Sequence, residues 1–216
     1  MKTDSQLQQA VIAELEWEPA VHAARIGVEV KDNVVTLAGQ TDSYAEKWRA
    51  EKLALGVPGV RAMASELKVH LPGPSQRSDG DIAGAAENVL DWTSSLPAGA
   101  IQVMVEGGWV TLSGDVDWQY QKQAAADSVC RLMGVIGVND QISVKPVAQL
   151  QARQADIKAA LRRAAIVDAD QITVDVHGGD VTLGGSIRNW AERETAKNST
   201  WGAPGVRSVV DLMTLA

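Results

Sequence analysis

The residues of this chain whose types could do chemistry are three histidines, one cysteine, several carboxylate pairs, one glycine-rich stretch and an unusual set of aromatics. Gly179-Asp-Val-Thr-Leu-Gly184-Gly185-Ser186 imitates a phosphate-binding loop. Such a loop joins a strand to a helix and needs a lysine to reach the phosphates, but Gly185 stands in the lysine's place. His22, His70 and His177 share no metal-ligand spacing, and Cys130 has no partner cysteine. No metal site is expected, and Cys130 reads as a buried structural thiol. Carboxylates such as Glu14, Glu16 and Glu18, or Asp115 and Asp117, fall at helix ends and on polar faces. Helix dipoles and solubility explain them there without catalysis. Asn198-Ser-Thr200 matches a glycosylation sequon, which matters only in a secreted chain. No catalytic residue and no cofactor is assigned, and the expectation is a protein that is not an enzyme.

The aromatics are harder to set aside. The chain has seven Trp and two Tyr but no Phe. Trp and Tyr combine a large apolar area with a polar tip, which suits wet interfaces. Trp92, Trp109, Trp118 and Tyr120 all fall in the middle third and form the candidate interaction surface, for a membrane interface or a protein partner. The plainer reading is packing between parts of the chain or against the back of a sheet. Trp17 and Trp92 occupy matching places, where a first helix is expected to join a strand.

Those residues sit on a repeated frame. Ile26 to Gly39 recurs as Ile101 to Gly114 and Ile172 to Gly185, at offsets of 75 and 71 residues. The register persists: Gly39, Gly114 and Gly185 are each followed 20 residues later by Gly59, Gly134 and Gly205. A period near 70 residues is too long for a simple solenoid, so each copy is expected to be a domain with its own core. The expected domains are 1–71, 78–147 and 149–216.

Within a copy, Leu7, Val11 and Leu15 mark one face of a first helix, as do Ile82, Ala86 and Leu90, and Ile157 with Leu161. Asp4 or Ser5, Asp79 or Asp81, and Asp156 are expected to cap these helices. Two strands of period two follow, joined at Asp32-Asn33, Gly107-Gly108 and Gly178-Gly179, pairs that suit a tight hairpin. Gly39, Gly114 and Gly185 are expected to end the second strand, where a side chain would meet a helix or a bend. A second helix starts at Ser43-x-x-Glu46, after Asp117, and at Asn189-x-x-Glu192, and a third strand ends the copy. The fold class is therefore α+β: three tandem αββαβ domains, each a three-stranded mixed sheet with two helices on one face. The Pro-rich linker Leu71 to Ser78 is longer than the join Lys145 to Ala148, so copies two and three are expected to hold the more fixed orientation.

With V-T-L-x-G at Val35 to Gly39 and Val110 to Gly114, its variant at Val181 to Gly185, and the Gly-Val pair beyond, each copy resembles the BON domain. The resemblance implies an αββαβ fold, envelope or osmotic-stress physiology, and binding of phospholipid or other partners without catalysis. The chain carries 20 basic and 27 acidic residues. By segment the counts are 8 and 10 over 1–71, 4 and 9 over 72–147, and 8 and 8 over 148–216. An acidic chain with no basic stripe speaks against nucleic acid. No apolar run could cross a bilayer. MKTDSQLQQA has no apolar leader, which reads as cytoplasmic, or periplasmic had a leader been removed. The expected function is multivalent binding through three domains, with phospholipid surfaces as partner; the alternative is a protein–protein scaffold or homo-oligomer.

Overall fold

A computed structural model describes residues 2–145, 152–164 and 171–215. Copy one contains α1 (Asp4–Trp17), β1 (Ile26–Lys31), β2 (Val34–Thr41), α2 (Tyr44–Gly56) and β3 (Ala62–Val69). Copy two repeats the order as α3 (Asp79–Trp92), β4 (Ile101–Glu106), β5 (Trp109–Val116), α4 (Gln119–Val129) and β6 (Gly137–Val144). Copy three follows with α5 (Gln154–Arg163), β7 (Ile172–His177), β8 (Asp180–Ile187), α6 (Trp190–Trp201), β9 (Ser208–Asp211) and β10 (Thr214–Leu215).

In each sheet the second strand is central. The first strand pairs with it antiparallel through a two-residue hairpin, and the last pairs parallel. A parallel neighbour requires a crossover, and the second helix supplies it. The apolar sides of sheet and helices close three separate cores. Leu7, Val11 and Leu15 face Val35 and Leu37, and the equivalents in the other copies do the same. Ala50, Ala125 and Ala196 are fully buried, so the second helix approaches its sheet closely.

Copy three departs from a three-stranded sheet. Its last strand is split into β9 and β10, both parallel to β8. Asp211 lies at the break, where its carboxylate accepts from the Met213 amide at 3.0 Å and pairs with Arg193. Copy two holds the same arrangement in an unbroken strand: Asp140 accepts from the Ile142 amide at 3.0 Å and pairs with Lys122, which also donates to Ile142 O at 2.6 Å, while Lys47 of copy one donates to Leu67 O at 2.9 Å.

Gly39, Gly114 and Gly185 do not end their strands; each sits two residues inside, at φ of +136°, +134° and +96°. A Cβ there would strike the backbone oxygen of Arg25, Ala100 or Gln171, just before the first strand. The close neighbour is backbone, which in copy one is the last residue of a short 3-10 turn, Ala23–Arg25, leading into β1. Gly59, Gly134 and Gly205 hold left-handed turns between second helix and third strand.

The caps also differ from expectation. Thr3 and Ser78 cap α1 and α3, each in a reciprocal box with Gln6 or Asp81. Arg153 precedes α5 and lends no side chain, while Asp156 lies in its first turn. Asp4 and Asp79 reach instead to the hairpins. Asp4 accepts from the Asp32 and Asn33 amides at 2.9 and 3.0 Å, and Asp79 from those of Gly107 and Gly108 at 2.8 and 2.9 Å. Each aspartate ties the start of a helix to a turn whose amides would otherwise lack partners.

Candidate functional site

The second helices of the three copies meet: α6 touches both α2 and α4. Between α4 and α6 lies a groove of about 730 Å³, lined by Trp118, Tyr120, Gln123 and Asp127 on one side and by Asn198 and Trp201 on the other. Tyr120 is 58% exposed, whereas Trp201 is partly buried against the core of copy three. Two of the four aromatic candidates are thus brought together, joined by a third ring that the sequence did not single out. Its signal was present in the register: Trp201 replaces Leu55 and Cys130.

Local chemistry explains why Trp118 is available. Ser43 and Asn189 cap their helices by accepting from Glu46 N at 3.1 Å and Glu192 N at 2.8 Å. The same place in copy two is Trp118, not Asp117, and an indole cannot accept. Gln121 partly compensates: its Oε1 accepts from the Asp117 and Trp118 amides at 3.1 and 3.0 Å. Giving up a cap costs about 1 kcal/mol, and the position instead presents an aromatic to the groove.

The other two candidates lie elsewhere. Trp109 starts β5 on the face away from the helices, since Val110 and Leu112 face the core. Its ring covers Gly137 on β6, where any Cβ would collide with it, and it is 54% exposed. It is separated from Trp118 by the length of β5, about 23 Å at 3.3 Å per residue. Trp92 ends α3 and is 87% exposed, as is Trp17 at the end of α1. Neither lines the groove.

At the junction of copies one and two, Tyr44, Lys52 and Cys130 hold the register places that Gln119, Asp127 and Trp201 hold at the groove. Tyr44 packs against the core of copy two and reaches the Val138 backbone on the open edge of β6. Burial pushes its phenol above the ordinary value. Cys130 is buried there, its thiol raised by burial and by Asp127, while Arg131 and, more weakly, Lys52 draw it down. This junction is filled; the next is open. The join after Lys145 lies outside the described residues.

The BON domain family model matches residues 3–70, 78–146 and 149–216. The chain belongs to the BON domain family. Osmotically-inducible protein Y of Escherichia coli (strain K12) is 30% identical over 146 residues, 66% of this chain and 73% of that protein. Among solved structures, the C-terminal domain of CdsD, the structural protein of the type III secretion system of Chlamydia trachomatis, is 13% identical with full coverage of both chains and a TM-score of 0.25. The PrgH periplasmic domain is 12% identical over 89% of this chain and 95% of that one, at 0.24. Overlaps this slight bear no structural argument.

The first BON copy also groups His22, Asp42 and Glu46 within 4.8 Å of one another. This group is a backbone clamp. Buried Glu46 accepts from the His22 amide at 2.7 Å and the Asp42 amide at 2.9 Å, and Arg25 binds both oxygens of Asp42. Its equivalents Gln121 and Glu192 hold backbone amides in the other BON copies. No described helix is long and apolar enough to cross a membrane.

Proposed function

We propose that this chain is a non-enzymatic, osmotic-stress-associated binding protein that attaches to lipid surfaces through more than one BON copy. The observation that carries this reading is the pair Trp17 and Trp92. Both are 87% exposed, at the same place in two copies. Indoles are rarely so uncovered, and they suit a membrane–water boundary, where the ring is half solvated. The kinship with osmotically-inducible protein Y supports the stress setting. Weak contacts repeated in one chain add up when they engage together.

Charge sets the lipid preference. Glu14, Glu16 and Glu18 surround Trp17, and Glu87 and Asp91 precede Trp92, so an anionic surface would repel both. Co-sedimentation with phosphatidylcholine and phosphatidylglycerol vesicles tests the reading. Binding is expected to favour the neutral vesicles and to fall about tenfold in the Trp17→Ser, Trp92→Ser double variant. No binding to either vesicle removes the lipid reading. A concentration-dependent molar mass in light scattering, with no vesicle binding, would favour the homo-oligomer.

A further inference from the structure

The groove between α4 and α6 has a ligand chemistry of its own, apart from surface attachment. Three aromatic residues line it: Trp118, Tyr120 and Trp201. Ring faces are negative and attract cations. Half-buried Asp127 lines the same groove, about two turns of α4 beyond Tyr120, and its only hydrogen-bond donor in the described residues is Gln123, at 2.9 Å to Oδ1. It has no ion-pair partner among the described residues, and neither lysine nor arginine lines the groove. The start of α4 and the end of α6 both reach this place. Their opposite dipole ends offset each other, which leaves Asp127 as the charged residue lining the groove.

These features select among ligands. A phosphate or carboxylate would meet a like charge and no cation. An apolar ligand would bury Asp127 and Asn198 without new partners, at a cost. An ammonium whose charge is spread over methyl groups meets both demands: it sheds water readily, packs on rings and faces the carboxylate. The space, about 730 Å³, is sufficient for such a molecule. The first junction could not take it, because Tyr44 fills the space and Lys52 stands where copy two has Asp127.

We infer that the groove between the second and third copies binds a small soluble quaternary ammonium compound, caged by Trp118, Tyr120 and Trp201 with Asp127 as counter-ion. Isothermal titration of the full chain with choline, in buffer without vesicles, is the test. Saturable binding is expected, and 3,3-dimethyl-1-butanol, the uncharged isostere, is expected to bind about tenfold or more weakly. Asp127→Asn and Tyr120→Ala each weaken choline binding about tenfold, while Asp127→Glu stays within about threefold of the parent. Gln119→Tyr, which carries the first junction's residue into the second, blocks it. Each variant's melting temperature shows that it folds. Trp17→Ser, Trp92→Ser leaves choline affinity unchanged, and Asp127→Asn leaves binding to phosphatidylethanolamine vesicles, which carry no quaternary ammonium, unchanged, so failure of either reading is distinguishable from failure of the other. Absence of saturable choline binding overturns the inference. So does equal affinity for the isostere, or an Asp127→Asn variant that binds choline like the parent.

Discussion

The two junctions between successive copies use the same faces and end differently. At the first, Tyr44 enters the neighbouring core and covers the open edge of β6. At the second, the equivalent residue is Gln119, the cap residue has become Trp118, and a groove remains. A single aromatic moved by one register position therefore decides whether a repeated contact serves as glue or as a site. Charge follows the same division: Lys52 at the filled junction becomes Asp127 at the open one.

The change that should break this comparison altogether is Gly114→Ala. Copy two contributes to both junctions, and a Cβ at Gly114 would meet the Ala100 backbone oxygen from a left-handed φ of +134°. A loss of about 3 kcal/mol or more is expected in urea unfolding, with both junctions lost together. Next in size is Tyr44→Ala. It empties a half-buried site and should cost about 2 kcal/mol, and calorimetry should show copy one melting separately. In the same variant Cys130 should react faster with a thiol reagent than in the parent, because Tyr44 no longer shields it.

Alkaline pH sharpens the contrast without mutation. Burial raises the Tyr44 phenol in the folded chain, so its contribution is full below the unfolded value of 10.0 and is lost as pH rises through the folded one. The first junction should loosen there, followed by Cys130 reactivity relative to an unfolded control, whereas Gln119 has nothing to titrate. The smallest effect is expected from Gln119→Tyr, which should raise stability by about 1 kcal/mol as the groove fills, read as a shift in the urea midpoint.

The frame was legible because each copy repeats the same apolar spacing: Leu7, Val11 and Leu15 are buried as that spacing implies, and so are their counterparts. What was not legible lay in contacts that no local pattern encodes. Asp4 and Asp79 were read as caps because helix starts favour acids, yet each reaches a hairpin distant in sequence. Gly39 was read as a strand end, because nothing in V-T-L-x-G reveals that Arg25 backbone passes against it. For the groove, Trp118 and Tyr120 stood out by type, but their partner Trp201 belongs to another copy, and only the junction brings them together. Trp92 and Trp109 stood out equally by type and lie on different surfaces.

The meeting of α6 with α2 as well as α4 makes copy three a neighbour of both others. At the groove the start of α4 meets the end of α6, so the contact joins two unlike surfaces. A chain truncated after copy two would bare the surfaces of α2 and α4 that α6 covers and should recruit a second molecule to them.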